Sequence, residues 1–90
     1  MHAQVEQFLD HMAYERGLAE NTRAAYASDL AAFVGFLQRS GAARSFATVT
    51  RTHVAAFLEE QRRLGFRAST RARRLIAVKV LFAFLAAEGV

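Results

Sequence analysis

Ninety residues make one small domain, able to fold around its own core but with limited margin. Hydrophobic residues make up 53% of the chain, which excludes disorder, and the lack of Cys excludes disulfides and thiolate metal sites. The net charge of +4 is uneven: residues 1–30 carry five acids against Arg16 and Arg23, whereas residues 61–87 carry seven bases and no acid, a bias that points to a polyanionic partner.

Val5, Phe8, Leu9 and Met12 follow the i, i+3, i+4, i+7 spacing of one helical face. They predict a first helix over residues 3–15, ended at Gly17. Glu20, Asn21 and Thr22 offer caps for a second helix over 21–39, whose apolar stripe is Tyr26, Leu30, Phe33, Val34 and Leu37. Gly41 stops it, and Phe46 and Val49 are expected to tuck the connection onto the core. Thr50 is a credible cap for a third helix with Val54, Phe57, Leu58 and Leu64 inward and Gly65 at its end. Ser69 or Thr70 then caps a fourth helix over 70–88, ended at Gly89. No segment alternates long enough to argue a strand, so the expected fold is all-α, a four-helix bundle with short loops in one domain, 1–90.

The fourth helix is apolar on two sides. Leu75, Val78, Leu81, Phe82 and Leu85 share one face at about 100° per residue, and Ile76, Val80 and Phe84 lie roughly opposite. A helix apolar all round is usually buried centrally. The alternative is that Ile76, Val80 and Phe84 form a protein interface.

Nothing in the sequence argues catalysis, a cofactor or a metal site. His2, His11 and His53 lie on separate elements without zinc spacing and read as surface residues. The glycines are scattered singly, not gathered in a phosphate loop, and Asp29, Glu59 and Glu60 read as solvated helix residues. The longest apolar run, Val80–Ala87, falls short of the ~20 residues that span a bilayer. The opening residues lack a secretory pattern, so the expected location is cytoplasmic.

Nucleic-acid binding has better support. Arg67, Ser69, Thr70, Arg71, Arg73, Arg74 and Lys79 gather at the start of the fourth helix. Free N–H groups and the helix dipole favour phosphate there, and Arg, Ser and Thr add donors. Asn21, Thr22 and Arg23 make a smaller version at the second helix. On this reading, charge reversal at Arg71 and Arg74 weakens DNA binding without unfolding the chain.

The order of these residues resembles a known family. Asn21-Thr22-x-x-x-Tyr26-x-x-Asp29-Leu30-x-x-Phe33 is similar to the N-terminal motif of tyrosine site-specific recombinases of the phage integrase and Xer type. Arg73-x-Leu75-x-Ala77-Val78-Lys79-x-Leu81-Phe82-x-Phe84-Leu85 resembles the last helix of that family's N-terminal domain, with Ile76 and Val80 where small polar and polar or basic residues are common.

The resemblance implies a SAM-like core-binding domain that clamps double-stranded DNA opposite a separate C-terminal catalytic domain. Thr22, Arg23, Ser69, Thr70, Arg71, Arg73 and Lys79 become contact candidates, and Arg67 and Arg74 join them on charge. The family's Arg, Lys, His/Arg set and nucleophilic Tyr belong to the catalytic domain, expected to be absent from these 90 residues. Neither Tyr14 nor Tyr26 is that nucleophile; Tyr26 reads as a core aromatic with a hydrogen-bonded hydroxyl. Expected partners are duplex DNA, the parent's catalytic domain and other recombinase subunits. The rival reading is a SAM-like protein-interaction module.

Overall fold

The computed structural model describes residues 1–89. They form α1 (His2–Glu15), α2 (Glu20–Ser40), α3 (Arg51–Arg63) and α4 (Ala68–Ala87), with a 3-10 turn at Phe46–Thr48. No strand occurs among the described residues. The all-α, four-helix expectation holds, with helix ends within two residues of those predicted.

The apolar stripes explain the assembly. Val5, Phe8, Leu9 and Met12 are all buried on α1, and Leu30, Phe33, Val34, Phe36 and Leu37 on α2. Phe33 is the hub: its ring lies 5.2 Å from Phe57, 6.4 Å from Phe82 and 6.5 Å from Phe46. Each such ring, fully buried, stabilises the fold by about 1.5–3 kcal/mol. Phe46 and Val49 hold the α2–α3 connection to the core as expected. Leu64 departs from expectation: it lies past the end of α3 and is 63% exposed.

Helix α4 packs against all three other helices, whereas α1 and α3 lie on separate flanks. Its buried face is Arg74, Ala77, Val78, Leu81 and Leu85. On the other side Phe84 packs against Phe8 and His11 at 5.6 and 5.0 Å between ring centres, and Val80 is also partly buried against the core. Helix α4 is therefore central in position, as the first reading has it, but it is not buried all round. Ile76, Val80 and Phe84 do not form one exposed stripe, because Ile76 is exposed while Val80 and Phe84 are partly buried.

Several local expectations change. Neither α2 nor α4 has a side-chain cap: α2 follows Ala19 and α4 follows Arg67, so Thr22, Ser69 and Thr70 lie within first turns. By contrast α3 carries a reciprocal capping box at its N-terminus. The Thr50 hydroxyl accepts from the His53 N–H at 3.4 Å, and His53 Nδ1 accepts from the Thr50 N–H at 3.0 Å. His53 thus fills the place of the usual Glu or Gln in a capping box, rather than being an idle surface residue. Thr50→Ala is expected to cost about 1 kcal/mol, measured by chemical denaturation.

The chain turns sharply at Gly65, whose φ of 88° is left-handed backbone that a side chain would strain. The Phe66 N–H then returns to the Gln61 carbonyl at 3.1 Å, closing α3 and aiming the chain into α4.

Candidate nucleic-acid interface

A polar network fixes the junction of α2, α3 and α4. Asp29 is only 1% exposed, although its charge suggested a solvated position. Its carboxylate accepts two hydrogen bonds from Arg73, Nε at 2.9 Å and Nη2 at 2.8 Å, and one from Arg74 Nε at 3.3 Å. Arg74 Nη1 also donates to Gln61 Oε1, itself buried on α3. The Phe66 ring lies 4.4 Å from the Arg74 guanidinium carbon, a cation–π contact. No buried side-chain polar atom among the described residues is left without a partner. One carboxylate against two guanidiniums leaves a single positive charge in the network. Hydrogen bonding and charge attraction from Asp29 raise the pKa of Arg73 above its ordinary value, so Arg73 stays cationic.

This network sorts the predicted contact residues. Arg74 is 8% exposed and engaged through Nε and Nη1, so it leaves the surface strip. Charge reversal there would damage the fold, and the expectation that it probes DNA binding alone is corrected. Arg73 is held bidentately, yet its side chain remains 52% exposed. Arg71 is half-buried, with Nη1 donating to the Phe66 carbonyl at 2.6 Å. Arg23 is turned toward α1, 3.1 Å from Asp10 and 3.9 Å from Glu6. That places Arg23 among the acids of the first helix, away from Thr22, which faces α4.

Arg67, Ser69 and Lys79 are exposed, and Thr70 is half-exposed. Neither Arg67 nor Lys79 has an acid within ion-pair distance among the described residues. The same holds for Arg63, exposed at the end of α3, which sequence reasoning passed over. Its neighbour Arg62 is committed to Glu59 at 2.6 Å, and that hydrogen bond holds the Glu59 carboxyl below its ordinary pKa.

The exposed ridge of α4 runs from the uncapped first turn through Ser69, Ala72, Ile76 and Lys79 to Ala83. The first backbone hydrogen bond of α4 is Arg71 N–H to the Arg67 carbonyl at 3.0 Å, so the N–H groups of Ala68, Ser69 and Thr70 point outward without a side-chain acceptor. No acid lies in that turn, whereas the first turn of α2 contains Glu20. The start of α4 therefore suits an anion better than the start of α2. Lys79 lies twelve residues after Arg67, roughly 18 Å along the axis at 1.5 Å per residue. Two such cations bracket the ~12 Å width of a DNA major groove.

Thr22 meets this ridge from α2. With Ala25, Tyr26, Asp29, Arg73 and Ile76 it lines a shallow dimple of about 120 Å³. Tyr26 packs edge-on to Phe8 at 6.1 Å, as expected of a core aromatic. The hydrogen bond expected for its hydroxyl is not present among the described residues. On the far side of the ridge, Arg51, Val54, Leu58, Leu75, Lys79 and Phe82 border a groove of about 530 Å³ between α3 and α4. No cluster of three or more metal-ligating His, Cys, Asp or Glu side chains occurs among the described residues. No helix among them is long and apolar enough to cross a membrane.

Comparison with known proteins agrees with the motif order. The family model described as phage integrase, N-terminal SAM-like domain, matches residues 5–89. Tyrosine recombinase XerC of Roseiflexus castenholzii is 47% identical over 92 residues, covering 100% of this chain and 28% of the relative. XerC of Herpetosiphon aurantiacus is 41% identical over 85 residues, covering 94% of this chain and 28% of the relative. XerD of Agrobacterium fabrum is 38% identical over 87 residues, covering 97% and 26% respectively. The chain thus spans little more than a quarter of the length of these curated relatives. No solved structure gives a significant match.

Proposed function

The chain belongs to the phage integrase N-terminal SAM-like family, and on that premise we propose that it is the core-binding domain of a tyrosine site-specific recombinase, gripping duplex DNA through the exposed ridge of α4. The observation that carries the proposal is the uncapped, acid-free first turn of α4, with Arg67, Ser69 and Thr70 around it and Lys79 farther along the ridge. Backbone N–H groups and hydroxyls supply directional donors to phosphate, while Arg67 and Lys79 supply charge. Thr22 adds a hydroxyl from α2. Arg73, clamped by Asp29, acts as a fixed positive wall, whereas Arg23 and Arg74 serve the fold.

Nothing in this ridge performs chemistry. Its task is to hold the duplex, and the cutting and rejoining of strands belongs to a catalytic domain elsewhere in a longer parent protein. In that setting the partners are duplex DNA, the catalytic domain and neighbouring recombinase subunits, in the cytoplasm. Fluorescence anisotropy with a labelled 20-base-pair duplex tests the DNA-binding role. Affinity should fall steeply between ~50 and ~200 mM salt, as counterions released by phosphate contact require. Absence of binding at the lower salt would count against it.

A second reading, as a protein-interaction module, is favoured by the α3–α4 groove, with its apolar floor and the cations Arg51 and Lys79 at its edge. A duplex-bound chain that still takes up a helical segment of the catalytic domain there would have both roles.

A further inference from the structure

The dimple between α2 and α4 holds an unusual combination for a DNA-facing surface. Ile76 is 55% exposed, yet it is flanked by Arg73, Thr22 and Ala25 rather than by other large exposed apolar residues. The remaining large exposed hydrophobics, Tyr14, Leu64 and Phe66, lie on α1 or in the α3–α4 turn. A protein partner needs a contact of about 800 Å² per side, usually with a continuous apolar centre. A single Ile in a dimple of about 120 Å³ does not supply that.

A duplex does offer a match. Among the base edges of the major groove, the one apolar group is the C5-methyl of thymine. The cationic and hydroxyl-bearing rim suits the phosphates on either side, and the apolar floor suits a methyl group. Position agrees as well. Ile76 lies seven residues after Ser69, roughly 10 Å along the helix, and three before Lys79. With phosphates at Ser69 and Lys79, Ile76 stands over the groove between them. Its ridge neighbours Ala72 and Ala83 are small enough to let the helix approach the bases. Arg73 cannot swing freely to read a guanine, because Asp29 holds both Nε and Nη2.

We infer that Ile76, with Ala25 and the Thr22 methyl group, forms a receptor for the thymine 5-methyl group and gives the domain a preference for a thymine at one position of its site. The inference rests on the DNA-binding reading above. It extends that reading from phosphate contact, which carries no sequence information, to one base edge.

The test uses two 20-base-pair duplexes, alternating dA-dT and alternating dA-dU, which differ by the methyl group in every register. Wild type should bind the dA-dT duplex about fourfold more tightly, the worth of one buried methyl group. Ile76→Ala should remove that difference, and Ile76→Val should retain part of it. Equal wild-type affinity for the two duplexes overturns the inference and leaves the DNA-binding reading standing. A fourfold difference that survives in Ile76→Ala overturns it too, since the methyl group is then read elsewhere. If neither duplex binds, the DNA-binding reading fails and the inference falls with it.

Discussion

Asp29→Ala is expected to destabilise the domain by about 3–5 kcal/mol, the cost of breaking a buried ion pair by removing one partner. A domain of this length has roughly 5–13 kcal/mol in total, so the variant is left close to unfolding. The melting temperature should fall by ~12–40 °C. The cause is Arg74 more than Arg73. Arg74 is buried, and without Asp29 its guanidinium keeps only Gln61 and the Phe66 ring. Arg73 has more than half of its side chain in solvent and can rehydrate. Arg73→Ala should therefore cost less than Arg74→Ala, and the ranking can be read from thermal melts of the three variants. Replacing both buried charges together, Asp29→Leu with Arg74→Met, should recover part of the stability, because no buried charge is left unpaired, while Arg73 turns to solvent and only the Gln61 amide loses its partner.

Reversing charge at Arg67 and Lys79 together should behave in the opposite way. Both are exposed, and neither has an acidic partner among the described residues, so the melting temperature should change little. Duplex affinity should fall by at least about tenfold, since each charge-assisted hydrogen bond is worth roughly 1.5–3 kcal/mol. The slope of log affinity against log salt should shrink by about 2, near one unit for each phosphate that is no longer neutralised. Arg23→Ala makes a useful contrast. It breaks only partly exposed pairs with Asp10 and Glu6 and should alter stability by less than about 1 kcal/mol while leaving the salt slope unchanged. Together these variants separate the cations that hold the fold from those offered to a ligand.

That separation was the part of the site hardest to read from sequence. The four helices were legible because apolar residues recur at helical spacing and glycines punctuate them. The basic segment was legible as a count, but a count cannot say which side chains turn inward. Asp29 lies three residues after Tyr26 and four before Phe33, on the inner edge of its stripe. Gln61 lies four after Phe57, and Arg74 four before Val78. Each polar residue continues an apolar face by one step. That alignment was the available signal, and charge masked it. Asp29 and Arg73 also belong to the two motifs that carry the family resemblance, and the structure pairs them directly. The absent side-chain cap on α4 was a different failure. Ser69 and Thr70 are good caps by type, but the helix begins two residues before the predicted start, so their hydroxyls are left for something else. The split of α4 into an α1-facing side and a solvent ridge depended on tertiary packing: Phe84 and Val80 pack toward α1, and Ile76 stays more than half exposed at the edge of α2.

The proposed DNA surface is the ridge of α4, from its first turn to Lys79. Titrating the ¹⁵N-labelled chain with a 20-base-pair duplex and following the backbone amides by NMR tests it most directly. The largest shifts should fall on Ala68, Ser69, Thr70, Ala72, Ile76 and Lys79, with a smaller set near Thr22, and should fade as salt is raised. Shifts confined to the acidic α1, or to the α3–α4 groove with the first turn of α4 unmoved, would contradict it.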